Sequence, residues 1–143
     1  MTQEEIQLLL KDLCARLSYG VICRWEDDGF SNIGELTDIC HQETNEGFRY
    51  WDGFLNFGGE DIPIELIKPY LRSMSNMTEE EKKVVCSMNM ISDTELNDRL
   101  NYQRMYIQNY TIETFDYFNE RKLDYRGLIE KGLAIEASED TYK

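Results

Sequence analysis

Ile6, Leu9, Leu10, Leu13 and Leu17 recur at steps of three and four residues near the start of the chain, the spacing of one buried helix face. Thr2 with Glu5 three residues on makes a T-x-x-E capping box in front of them, and Tyr19-Gly20 supplies a stop. A helix is therefore predicted over residues 3–17, with Cys14 on its apolar stripe. The pattern then changes. Val21–Trp25 is short, apolar and partly β-branched, and it runs into the turn-forming Asp27-Asp28-Gly29. Ile33, Leu36 and Ile39 suggest a second strand. After a polar loop, His41–Gly47, the stretch Phe48–Phe57 puts Phe48, Tyr50 and Phe54 on one face and Trp51, Leu55 and Phe57 on the other. It reads as a strand buried on both sides or as a tight hairpin through Asp52-Gly53, a favoured two-residue turn. A three-stranded antiparallel meander is the simplest arrangement.

Helical signals return after Gly58-Gly59. Pro63 stands behind Asp61 as a first-turn proline, with Ile62, Leu66, Ile67 and Leu71 as the buried side and Pro69 kinking or ending the helix near Lys68. Ser73–Asn76 reads as a linker with Met74 tucked inward. Thr78 and Glu81 form a second capping box, and acids at 79, 80 and 81 suit the positive end of the helix that follows. Val84, Val85, Met88 and Ile91 give its apolar face. Residues 93–110 show only weak periodicity through Leu96, Leu100, Met105 and Ile107. Thr111–Lys122 reads as a helix with Ile112, Phe115 and Phe118 on one side. A short helix from Asp124 ends at Gly132, Leu133-Ala134-Ile135 reads as a closing strand, and residues 138–143 as a frayed tail. The expected fold is α+β: an N-terminal helix and a small antiparallel sheet of about three or four strands, covered by C-terminal helices. One domain over residues 1–143 fits the length.

Charge and cysteine usage narrow the partners. Net charge is −13, from 28 acids against 15 bases, which disfavours direct binding to nucleic acid and docking on anionic lipid. No apolar run approaches the ~20 residues needed to span a membrane. Cys14, Cys23, Cys40 and Cys86 could form two disulfides by count. Cys14 and Cys23 fall in apolar runs, however, where free Cys behaves as a small hydrophobe, and no signal peptide precedes the first helix. A cytoplasmic protein with reduced thiols is expected.

The chemistry-bearing motifs are sparse. Cys40-His41 is the one adjacent ligand pair and there is no C-x-x-C, so no metal site is expected. Glu26-Asp27-Asp28 lacks the alternating ligands and closing Glu of a calcium loop. His41 is the sole histidine; in a strand its neighbour Cys40 would point to the opposite face. No phosphate-cradling glycine loop, nucleophile elbow or dinucleotide fingerprint is present, and no cofactor is expected. Lys68, Tyr70 and Arg72, with Tyr125 and Arg126, stand out as basic-aromatic islands in an acidic chain. They are candidate partner contacts, because Arg and Tyr are enriched where proteins bind one another. The alternative is that Arg72 and Arg126 pair with acids such as Asp124 while the tyrosines cover the core. Tyr102, Tyr106 and Tyr110 recur every four residues and would line one helix face, as core edge or as the seam of a homodimer, with Tyr117 beyond them.

Three segments carry a resemblance: LLLKDLCARLSYGV at Leu8–Val21, KPYLRSMSNMTEEE at Lys68–Glu81 and DYRGLIEKGLAIEA at Asp124–Ala137. In this order they resemble a family of short uncharacterised bacterial proteins found in gut anaerobes, often in prophage-like regions. The match covers about a third of the chain. It departs from the family pattern at Ser18 and Ser73, where proline is common, and it does not extend into residues 90–122. The resemblance implies a shared fold and no activity. The functional expectation is a non-enzymatic binding or regulatory protein of mobile-element origin that acts on another protein. Two alternatives stand beside it: an acidic inhibitor that mimics nucleic acid, and a small enzyme using carboxylates or a cysteine.

Overall fold

The computed structural model describes residues 1–41, 53–56, 61–101 and 110–143. Helix α1 spans Gln3–Arg16, opened by the Thr2–Glu5 capping box and followed by a 3-10 turn that ends at Gly20, whose φ of 72° no side chain adopts easily. Ile6, Leu9, Leu10 and Leu13 are buried as the stripe requires. Cys14 is not: it is exposed on the opposite side, in phase with Gln7 and Lys11. In its place the stripe buries Asp12 and Arg16 completely.

Strands β1 (Ile22–Asp27) and β2 (Phe30–Glu35) form a hairpin whose turn residues, Asp28 and Gly29, both have positive φ, as a two-residue hairpin turn demands. The second strand expected through Ile39 therefore divides. β3 (Asp38–His41) starts a separate antiparallel sheet with β4 (Gly53–Asn56) and β5 (Asp61–Pro63). The rest of the Phe48–Phe57 expectation, including the Asp52-Gly53 turn, lies outside the described residues.

The helix expected from Pro63 is a strand instead. One 3-10 turn, Ile64–Leu66, leads into β6 (Ile67–Leu71). Ile67, Pro69 and Leu71 are buried while Lys68 and Tyr70 point away, a period of two that the apolar spacing 62, 66, 67, 71 had concealed. Pro69 is tolerated because β6 changes neighbour there: Ile67–Pro69 pair with β1, and Tyr70–Leu71 pair with β7 (Ile135–Glu136). The main sheet has the order β2-β1-β6-β7, and its last pair is parallel. The α+β class holds, with a mixed sheet rather than an antiparallel one.

Helices α2 (Glu79–Asn89), α3 (Asp93–Asn101) and α4 (Ile112–Glu120) follow. Thr78 and Glu81 close the second capping box as expected, and Thr111 caps α4. Where a short helix was expected after Asp124, the chain makes successive turns. Gly127 at φ 72° breaks the helical path, and the Asp124 carboxylate accepts from the Leu128 and Ile129 amides at 2.9 and 2.8 Å. The tail also differs from expectation: Tyr142 returns to the sheet and hydrogen-bonds Ile22 and Tyr70.

The core has two apolar clusters. Leu9, Leu13, Cys23, Trp25, Ile67 and Leu71 fill the first, so the inner sheet face is covered by α1 rather than by the later helices. Those helices build the second cluster, from Met74, Met77, Val85, Leu96, Phe118, Leu123 and Tyr125. Arg16 joins the two. Its Nε and Nη2 donate to Asp12 at 2.8 and 3.0 Å, Nη2 also donates to the Leu123 carbonyl at 2.9 Å, and its Cζ lies 5.4 Å from the Tyr125 ring centroid. Arg16→Ala should lower the unfolding free energy by about 3–5 kcal/mol, because it strands a buried carboxylate. Cys14→Ser, on the exposed side, should change it by less than about 0.5 kcal/mol. Urea unfolding followed by tryptophan fluorescence reads both, and equal effects would refute the assigned burial.

Candidate functional site

The five basic and aromatic residues singled out by sequence separate into three places. Arg72 continues beyond β6 and grips Glu81 with both terminal nitrogens, at 2.9 and 2.7 Å, while also donating to the Asn76 and Arg121 carbonyls. Its ion-pair partner is thus Glu81 rather than Asp124, and the pair pins the start of α2 to the end of β6. Tyr125 is buried, its hydroxyl donating to Asn119 Oδ1 at 3.0 Å. Arg126 stacks on that ring at 4.7 Å, donates to the same hydroxyl and stands 3.7 Å from Asp12. Tyr125 and Arg126 therefore extend the Asp12–Arg16 seam.

Lys68 and Tyr70 remain, on the outer face of the main sheet. Strand register brings others beside them. Arg24 is paired with both Ile33 and Lys68, which sets an aliphatic side chain and two cationic ones in a row across three strands. Tyr70 lies beside Ile135, and Ile22 beside Glu35. These side chains are half-buried or exposed, and Ile33 is 64% exposed. Arg24 donates to Glu26 at 2.9 Å. A groove of about 440 Å³ runs between Arg24, Glu26, Glu65, Leu66, Lys68 and Ile135. A second depression, also about 440 Å³, lies toward the sheet's end between Ile22, Ile33, Glu35, Lys122 and Tyr142. Arg24 and Ile33 gave no sequence signal as partners of Lys68, because register decides their adjacency.

Another exposed apolar group, Met88, Met90 and Ile112, lies where the end of α2 meets the start of α4. Beneath it Asn89 ties the two helices, donating to Thr114 Oγ1 at 2.8 Å and accepting from the Thr111 amide at 3.0 Å. Of the tyrosine stripe, Tyr102 and Tyr106 lie outside the described residues. Tyr110 packs edge-on to Phe118 at 5.3 Å, which makes it core edge, and Tyr117 lies under Arg121.

The titratable groups are largely committed to structure. Cys14, Cys23 and Cys86 are free thiols, and burial pushes each above its ordinary value; Asp93 adds to the effect at Cys86. The side chains of Cys40 and His41 lie outside the described residues. Among the described residues no group of three His, Cys, Asp or Glu is placed to hold a metal ion, and no helix is long and apolar enough to cross a membrane. No family model, curated protein or solved structure matches the chain.

Glu81 yields a pH prediction. Burial pushes its carboxyl up, but the Arg72 guanidinium and the Thr78 amide and hydroxyl outweigh that and hold it at about 2, against an ordinary 4.5. A folded-state value below the unfolded one contributes stability that is complete above the unfolded value. That contribution fades as pH falls from about 4.5 through about 2. Glu81→Gln should therefore be less stable than wild type near neutrality and should lose less stability over that acid window. Urea midpoints measured from pH 2 to 7 check it; parallel curves for the two proteins would contradict the assignment.

Proposed function

We propose that this is a non-enzymatic binding protein that docks a partner protein on the outer face of its main sheet. The observation that carries the reading is the row Ile33–Arg24–Lys68 with Tyr70 and Ile135 beside it. A face that mixes aliphatic, aromatic and cationic groups has the composition of a protein interface, and it occurs on a chain of net charge −13. The same charge opposes nucleic acid as the direct ligand.

Each of three buried carboxylates is held by fixed structural partners: Asp12 by Arg16, Glu81 by Arg72 and Thr78, and Asp124 by two backbone amides. That favours binding over acid-base catalysis. The nucleic-acid-mimic alternative is disfavoured by the spread of exposed acids, which come from every layer: Glu4 on α1, Glu26 on β1, Glu80 on α2, Asp98 on α3, Glu113 on α4 and Glu139 in the tail. A mimic needs them gathered on one face. Three free thiols support a reducing, cytoplasmic setting, and the sequence resemblance adds a bacterial mobile-element origin to the proposal.

The test is affinity capture from lysate with the tagged chain, comparing wild type with an Arg24→Glu, Lys68→Glu double variant at low and high salt. Captured partner should fall at least tenfold in the double variant while its circular dichroism stays unchanged. Undiminished capture by a folded double variant would remove this face from consideration.

A further inference from the structure

The β1–β6 ladder runs Trp25↔Ile67, Arg24↔Lys68, Cys23↔Pro69 and then stops. The next step in register would join Ile22 to Tyr70. The Tyr142 phenol occupies it instead. Its hydroxyl accepts from the Ile22 N–H at 3.2 Å and donates to the Tyr70 carbonyl at 2.5 Å, replacing the direct N–H to C=O bond of a continued antiparallel ladder. The Lys122 ammonium stands 5.2 Å from the ring centroid, held there by the Tyr19 and Glu120 carbonyls at 2.6 and 3.0 Å. The slot thus presents one donor, one acceptor and a cation over the ring, which together recognise a phenol.

The tail that delivers this phenol is lightly fastened. Ala137 donates to the Leu71 carbonyl just before it. Beyond that point the hydrogen bonds of Ser138 with Thr141 and of Lys143 with Asp140 lie within the tail itself. Tyr142 is the latch. Burial pushes its phenol up, so the hydroxyl keeps the proton it donates.

We propose that residues 138–143 form a releasable strap, and that the slot beneath Tyr142 receives a tyrosine on an extended segment of the partner when the strap lifts. The occupant is inferred from what already sits there: a tyrosine fits both backbone groups and the ammonium. This rests on the outer face being the docking surface, because Ile22 and Ile33 line the same depression as Tyr142.

The experiment needs no partner, so the strap and the docking face can fail independently. Amide exchange is followed by NMR on the full chain and on Tyr142→Phe, which keeps the ring and loses the hydroxyl. The Ile22 amide should exchange at least tenfold faster in the variant, with the other β1–β2 hairpin amides unchanged. The peptide Ala137–Lys143 is then added to full-length Tyr142→Ala. It should shift the Ile22 and Tyr70 amide resonances, and a peptide with phenylalanine at the tyrosine position should bind at least tenfold more weakly. Unchanged Ile22 exchange in Tyr142→Phe, or a folded Tyr142→Ala chain that ignores the peptide, would overturn the proposal.

Discussion

Arg16 and Asp12 are both without solvent contact, one helical turn apart on α1, between the two apolar clusters of the fold. Taking two such charges out of water costs several kcal/mol per ion. The cost is offset here by a double contact between the two groups, a bond to the Leu123 carbonyl and the Tyr125 ring face. The Leu123 carbonyl and the Tyr125 ring come from one segment far from α1 in sequence. The pair therefore does more than stabilise α1. It fixes the position of α1 relative to the segment that follows α4, because any shift would leave a buried charge uncompensated. The Arg nitrogen without a hydrogen bond, Nη1, shows that the compensation is not complete. A well-packed apolar substitute for the whole pair could match its stability, but it would not carry the same positional demand.

Arg72 acts comparably at the main-chain level. Its amide donates to Lys122, its carbonyl accepts from Asp124, and its guanidinium holds Glu81. The edge of β6 is thus used twice: first by Ile135–Glu136 opposite Tyr70 and Leu71, then by Leu123 opposite Arg72. The turns between, with Gly127 and Gly132 both at positive φ, let the chain leave that edge and return to it. Tyr125 and Arg126 occupy this excursion, so they belong to the seam and not to the sheet face that carries Lys68 and Tyr70.

Local signals were legible and non-local ones were not. The capping boxes at Thr2 and Thr78 were readable because each involves residues three positions apart. β6 was misread as helix because Ile62, Leu66, Ile67 and Leu71 satisfy a helical spacing. Pro69 looked like a kink, when it marks a change of strand partner. Asp12 and Arg16 have the spacing of a solvent-exposed helical ion pair; only their phase with Leu9 and Leu13 hinted at burial. Of the residues on the outer sheet face, Lys68 and Tyr70 were singled out by sequence. Arg24 and Ile33 were not, since their adjacency depends on a register that joins strands far apart in sequence.

The late position of β7 has a consequence for how the chain is made. The β1–β2 hairpin is local and can close soon after it is synthesised. Tyr70 and Leu71, by contrast, wait for Ile135 and Glu136, nearly half the chain later. Contacts of such long separation slow folding, and during synthesis they leave Tyr70 and Leu71 without their strand partner until Ile135 and Glu136 have been made. Through that interval the nascent chain carries Tyr70 and Leu71 as an open strand border, a template for pairing with other chains. Among the described contacts of that border, β7 and the Ala137 amide behind it are the ones that close it.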